Sequence, residues 1–306
     1  MQKTSSILDK EIICIRGAGD LATGVIQKFV RAGYRIYALE TMQPTTIRRQ
    51  VALSTAISKG TSKVEDITAR HVECSFNNLE KCWEEGIVPI IVDPSASSIK
   101  VIKPAAVIDA IIAKRNIGTN RNMAPITIGM GPGFSAGKDV DVVIETMRGH
   151  SLGQIIFEGE ALPNTGTPGN IGGQSSLRVM HAPNDGTVKH MVKIGDWVCE
   201  GQPVFTVSDI VVVAPFDGLI RGLIEEGTTV KKGLKSADID PRRLSKEEVY
   251  SISDKARSLG GAVLEAYLYL DNKNRHEKIK TIKAGQASEA HHSHQVYQYL
   301  KKVVDR

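Results

Sequence analysis

The stretch "ICIRGAGDLATGVIQKFVRAGYRIYALE", residues 13–40, carries the strongest fold signal in the chain. The apolar run "EIICIR" reads as a buried strand. From Asp20 onward, Leu21, Val25, Ile26 and Phe29 recur at helical spacing, and "YRIYALE" reads as a second strand. Between the first strand and the helix lies Gly17-Ala18-Gly19-Asp20-Leu21-Ala22, a GxGxxA turn. The first glycine permits a tight turn, and the second removes a side chain that would block a phosphate. The helix N-terminus behind it offers unpaired N–H groups to an anion. Glu40 follows about 20 residues on, where a carboxylate can accept from a ribose hydroxyl. Asp20 departs from this pattern, because its charge suits the helix dipole yet competes with an incoming phosphate.

Outward from that unit the chain stays in α/β register. "RRQVALSTAIS" and "NNLEKCWEEG" read as helices, "IVPIIVDP" and "AAVIDA" as strands ending at Asp93 and Asp109, and "APITIGMGPG" as a strand entering a glycine loop. In an open parallel sheet the carboxyl ends of strands line the binding crevice, which predicts one shared rim. That rim holds Gly17, Gly19, Asp20, Glu40, Asp93, Asp109, Gly131 and Gly133. Two basic, glycine-bearing stretches flank it, "AKRNIGTN" with Lys114 and Arg115, and "GPGFSAGKD" with Lys138. Glycines let amides approach an anion, and the cations neutralise it. "ETMRGHSLG" adds Glu145, Arg148 and His150, the last a candidate acid–base group. An anion on the Gly17–Asp20 turn would be neutralised by Arg115 or Lys138.

The second half repeats at an offset of 32 residues, pairing Ala182 with Ala214, Asp185 with Asp217, Gly186 with Gly218, Gly195 with Gly227 and Gly201 with Gly233. Each copy is too small to bury a core, so two copies interleave. Short strands and Asp-Gly turns predict a barrel-sandwich hybrid like biotinyl and lipoyl carriers. A swinging-arm carrier is not expected, since "QPVFTVSDIVVV" holds no lysine between the copies. Ser245 and Glu248 form a capping box that starts a helix, and "GGAVLEAYLYL" reads as another. The fold expectation is therefore α/β, with a Rossmann-like ligand-binding domain over residues 1–150 and a glycine-rich linker over 151–176. A barrel-sandwich domain over 177–244 and C-terminal helices with a polar tail over 245–306 complete it.

Bulk properties narrow the function classes only slightly. The chain has 306 residues, 41% apolar and 24% charged, and a net charge of +5, which suits an anionic small molecule, an acidic partner or nucleic acid alike and so selects none of them. Aromatics at 5% argue against a nucleic-acid binder built on stacking. No run reaches the length of a membrane span, and no signal-like segment leads the chain, so a cytoplasmic protein is expected. Cys14, Cys74, Cys82 and Cys199 form no CxxC pair, and Cys14 reads as a buried structural thiol. His291, His292 and His294 read as an exposed helix start rather than a metal site.

The stretches "RGAGDLATG", "DAIIAKRNIGT", "GPGFSAGKDVDVVIETMRGHSLG", "LPNTGTPGNIGG", "DIDPR" and "ISDKARSLGGAVLEA" carry a resemblance. Through them the chain resembles the YqeB-type accessory proteins of selenium-dependent molybdenum hydroxylase systems, a family related in spirit to the XdhC proteins. The resemblance implies a maturation role, binding a molybdopterin-type cofactor for a molybdenum hydroxylase client enzyme. It supplies no catalytic residues and leaves open whether the chain is an enzyme. A nicotinamide oxidoreductase using NAD(P), supported by Gly17, Gly19 and Glu40, and a non-catalytic scaffold that docks a client are the alternatives.

Overall fold

The computed structural model describes residues 11–166 and 172–304, and of residue 246 and residues 282–304 the backbone alone. Two compact units are present, Met1–Leu264 and Glu265–Arg306. The first contains both sheets systems described below; the second continues the last helix. No helix of the described residues is long and apolar enough to cross a membrane.

The opening stretch forms β1 (Ile12–Arg16), α1 (Asp20–Arg31) and β2 (Arg35–Glu40). The chain continues through α2 (Ala56–Lys59), β3 (Thr61–Val64), β4 (Ile67–His71), α3 (Phe76–Glu84), β5 (Val88–Val92), α4 (Ile99–Ile102), β6 (Ala106–Asp109) and β7 (Ile126–Met130). Short strands β8 (Ser135–Ala136), β9 (Val142–Ile144), β10 (Ile155–Ile156) and β11 (Gly159–Glu160) follow. One nine-stranded sheet takes the order β10-β9-β7-β6-β1-β2-β5-β4-β3. The central pairings are parallel, with Ile13 to Arg16 of β1 in register with Ala106 to Asp109 of β6. Strands buried on both faces need near-continuous apolar sequence, which β1, with Ile13, Cys14 and Ile15 fully buried, supplies. Burial pushes the Cys14 thiol up to about 12, in keeping with a structural role.

The expectation of a Rossmann-like parallel sheet is corrected here. The sheet is mixed, because β3 and β10 join its two edges antiparallel. Between β6 and β9 the crossovers run through loops and a 3-10 turn instead of packing helices. "RRQVALSTAIS" is likewise not one helix but two 3-10 turns, Arg49–Val51 and Leu53–Thr55, leading into the four-residue α2.

The repeat builds β12 (Val179–His181), β13 (Gly186–His190), β14 (Trp197–Val198), β15 (Pro203–Val207), β16 (Ile210–Val213), β17 (Gly218–Leu223), β18 (Thr229–Val230) and β19 (Lys235–Asp240). The 32-residue offset carries β13, β14 and β15 onto β17, β18 and β19. Two separate four-stranded antiparallel sheets result, β12-β19-β17-β14 and β16-β15-β13-β18. Each takes two strands from either copy, so neither copy has a sheet of its own. The expected biotinyl- or lipoyl-like barrel-sandwich is corrected accordingly, because the hydrogen-bond ladders form two sheets and no closed barrel. Their shared core of Val188, Val198, Phe205, Val207, Ile220, Leu223, Val230 and Ile239 also receives Ile47 and Val249 from outside the repeat.

Two helices close the described chain, α5 (Lys246–Val249) and α6 (Asp254–Val304). The capping box forms as expected: the Ser245 N–H donates to Glu248 Oε2 at 2.8 Å, and the Glu248 N–H to Ser245 Oγ at 3.2 Å.

Candidate functional site

Gly17 turns the chain at φ +97°, and a Cβ there would sit 3.1 Å from the Ala110 carbonyl. Glycine is thus required both for the conformation and for close approach of the turns after β1 and β6. The Ala18 N–H, which would meet a phosphate, donates to Glu40 Oε2 at 3.0 Å. Glu40 Oε1 accepts from the Thr41 N–H at 2.8 Å. Asp20 makes no helix cap and faces Arg48 at 3.5 Å. The glycine turn therefore has its own carboxylate in the place of an anion.

The other expected rim residues divide sharply. Asp109 is buried, receives the Thr119 hydroxyl at 2.6 Å and faces Arg16 at 3.4 Å, and burial raises its pKa. Gly131 (φ +81°) backs onto Thr146. Gly133 (φ +107°) lies so close to the Arg115 backbone that a Cβ would fall 2.5 Å from its Cα. That packing holds the loop in which Lys114 reaches a cleft of about 620 Å³. Arg115, Lys138 and His150 are exposed and outside that cleft's lining. Arg148 lines it, yet both its Nη atoms donate to Asp254, at 2.8 and 2.9 Å. Gly17, Gly19 and Glu40 line a neighbouring hollow that shares Asp20, Leu21, Arg48 and Lys235 with the cleft.

The cleft brings together the expected Asp20, Lys114, Glu145 and Arg148 with residues that sequence reasoning missed, Arg48, Arg178, Arg221, Lys235, Asp238 and Lys255. Seven basic side chains line it, Arg48, Lys114, Arg148, Arg178, Arg221, Lys235 and Lys255, against the carboxylates of Asp20, Glu145 and Asp238. Glu145 is already engaged, accepting the Met147 and Leu162 N–H groups at 2.7 Å each. Arg178 precedes β12 and donates through Nη2 to Asp238 Oδ1 at 3.0 Å. Arg221, on β17, lies 4.0 Å from Asp238 and 3.8 Å from Asp240, beyond hydrogen-bonding reach. Asp240 is instead clasped by Arg242 at 2.9 and 2.8 Å.

The three arginines are about nine-tenths buried. Among the described residues, Arg48 Nε and Nη2, Arg178 Nε and Nη1, and Arg221 Nε have no hydrogen-bond partner. A buried charged donor without a partner costs at least about 1–3 kcal/mol. Burial and the adjoining Arg48 lower the Arg221 pKa. Burial, then Lys114 and Arg148, bring Lys255 down to about 8, and burial with Lys235 lowers Lys114. The cleft is a preformed region of positive potential, and among the described residues its three buried arginines keep donors without partners.

One signal for these residues did exist. Arg221 interrupts "GLIRGLI", an apolar strand, and Asp238 and Asp240 alternate through "SADID". Arg48 stands in a loop and Arg178 ends a short 3-10 turn, neither with a local mark. Among the described residues no group of three or more His, Cys, Asp or Glu could hold a metal ion; His291, His292 and His294 lie outside the described side chains.

No family model matches the chain. It is 44% identical over 283 residues, 92% of its length, to the uncharacterized protein YqeB of Escherichia coli K12, of which it spans 51%. The chain thus covers about half the length of this homologue. Solved structures similar to it include a succinylglutamate desuccinylase from Silicibacter (12% identity, 75% of this chain and 84% of that one, TM-score 0.23). The ectoine utilization protein EutE (DoeB) of Ruegeria pomeroyi matches at 11% identity, 75% and 85% coverage and TM-score 0.24. An aspartoacylase family protein of Mesorhizobium loti matches at 12%, 77% and 86%, with TM-score 0.23. These scores transfer no residue role to the chain. The expected molybdenum-hydroxylase maturation role is corrected: the homologue is named only as an uncharacterized protein, and none of these solved structures is a molybdenum-hydroxylase maturation protein. The selenium-dependent hydroxylase assignment falls with it.

Proposed function

We propose that this homologue of YqeB binds a small phosphate-bearing anion in the arginine-lined cleft. One observation carries the reading: Arg48, Arg178 and Arg221, each about nine-tenths buried, line one cleft, and among the described residues five of their guanidinium nitrogens have no hydrogen-bond partner. Guanidinium groups match the oxygens of phosphate in pairs, and charge-assisted bonds of this kind are stronger than neutral ones. A phosphate group brings about −1.5 to −2 charges and three strong acceptors, enough to engage donors from more than one arginine. The Ala18 amide and the Asp20 carboxylate speak against a phosphate seated on the glycine turn itself.

The two cofactors expected from the sequence, a molybdopterin-type cofactor and NAD(P), both meet the phosphate requirement. They are the natural ligands to compare with inorganic pyrophosphate by isothermal titration. Arg48→Met removes two unfilled donors and a weak 3.5 Å pairing with Asp20. Its loss should weaken pyrophosphate binding about tenfold to a hundredfold, the worth of a charged hydrogen bond of about 1.5–3 kcal/mol. The unliganded variant should unfold at a temperature no lower than the parent, since a buried cation without a full partner set is gone. Undiminished pyrophosphate affinity in the folded variant would count decisively against the site.

A further inference from the structure

Lys255 stands in the first turn of α6 and lines the arginine cleft. Three carboxylates lie nearby, and each is engaged elsewhere. Asp254 is held by Arg148, Glu145 accepts two backbone N–H groups, and Asp20 faces Arg48. The charges that act on the amine come from Lys114 in the loop after β6, Arg148 and Glu145 after β9, and Asp20 on α1. None of these acids forms an ion pair with Lys255 among the described residues. A desolvated lysine beside other cations is the usual setting of an activated amine nucleophile. With burial and these neighbours bringing it to about 8, roughly a tenth of the amine is neutral at pH 7, on the order of two hundred times the fraction for an ordinary lysine.

We infer that Lys255 is a nucleophilic amine that forms an imine with the carbonyl carbon of a phosphate-bearing aldehyde or ketone held by Arg48, Arg178 and Arg221. The ligand half of this inference rests on the proposed anion site. The Nζ lone pair attacks the carbonyl carbon, a C–N bond forms, and the C=O π pair moves to oxygen. Two N–H protons pass to that oxygen, the C–O bond breaks, and water leaves. The product is an imine, with no oxidant or reductant required. The negative charge of the bound phosphate offsets the positive charge of the cleft around the imine.

The test uses the whole chain and pyridoxal 5′-phosphate, an aldehyde with one phosphate, followed by borohydride reduction and peptide mapping by mass spectrometry. At low reagent excess Lys255 should carry the adduct ahead of the other lysines. Its labelling should rise with pH through about 8, and excess pyrophosphate should protect it. Lys255→Arg keeps the positive charge but cannot form the imine, so the adduct should vanish while pyrophosphate still binds. Adducts spread without preference for Lys255, in a protein that still binds pyrophosphate, would overturn the inference and leave the anion site standing. Reductive methylation with formaldehyde, small and uncharged, reports on the amine alone. Preferential methylation of Lys255 without any engagement of pyridoxal phosphate or pyrophosphate would instead overturn the anion site, and the phosphate-bearing substrate with it.

Discussion

Asp93 closes β5 with a carboxylate that takes four donors from the turn behind it. The Ser95 hydroxyl and the Ser97 N–H and hydroxyl reach Oδ1 at 2.8, 3.1 and 3.2 Å, and the Ser98 N–H reaches Oδ2 at 2.8 Å. Burial works to raise its pKa, but the Ser98, Ser95 and Ser97 donors outweigh that and hold it at about 2. A folded-state pKa below the unfolded value gives stability that is fully present above about pH 4 and lost as pH falls toward 2. The shift corresponds to roughly 2 kcal/mol. Asp93→Asn should therefore lower the unfolding free energy by about that amount at pH 7, and the gap to the parent should close between pH 4 and 2. Urea titrations at several pH values would show it, and a gap independent of pH would refute the assignment. The sequence placed Asp93, Glu40 and Asp109 on a ligand rim because all three end strands. It could not show where their lone pairs are directed, and each is engaged by the chain's own donors.

At the scale of elements, α1 and the start of α6 meet through glycines. A Cβ on Gly24 would lie 2.4 Å from the Ala256 carbonyl oxygen, and one on Gly260 would lie 2.4 Å from the Gly24 carbonyl oxygen. Helix propensity alone favours alanine over glycine by about 1 kcal/mol. Forcing two backbones apart typically costs about 1–3 kcal/mol, so Gly24→Ala should destabilise despite its better propensity. Gly261, in the same helix but with nothing within 4 Å of its Cβ position, supplies the control. Gly261→Ala should hold or raise the thermal midpoint while Gly24→Ala lowers it; a rise in both would dismiss the crossing. The helical spacing of Leu21, Val25, Ile26 and Phe29 was readable, because one buried face leaves a period in the sequence. The glycine contact was not, since its partner lies more than two hundred positions away. Central strands announced themselves as apolar runs, whereas the edge strand "TSKV" and its neighbour "ITARH" mix polar and apolar residues and left no such mark.

The 32-residue repeat was legible because both copies keep the same turn residues, yet it could not reveal how their ladders would join or what else would enter their core. Ile47 enters it from the segment after β2. Its carbonyl accepts the Leu223 N–H at 2.8 Å, and its side chain is 3.1 Å from where a Gly222 Cβ would stand. Next to it, Arg49 donates through Nε to the Leu223 carbonyl at 2.6 Å and through Nη1 to Glu225 at 2.6 Å. The same short segment carries Arg48 into the cleft, so the small-sheet core and the arginine cluster are positioned together. The nine-stranded sheet and both small sheets belong to one compact unit, which implies one cooperative transition. The two tryptophans separate the regions: Trp83 sits on α3 against the large sheet, donating to the Ile36 carbonyl at 2.8 Å, and Trp197 lies on β14 beneath Arg243. Ile47→Ala would empty a 7%-exposed site, a change that costs about 2–5 kcal/mol in a packed core. Chains carrying only Trp83 or only Trp197 should show coincident urea transitions, and Ile47→Ala should move both midpoints down together. A midpoint that falls for Trp197 while Trp83 stays in place would mean that the small sheets unfold on their own, and that Ile47 seals them without tying them to the large sheet.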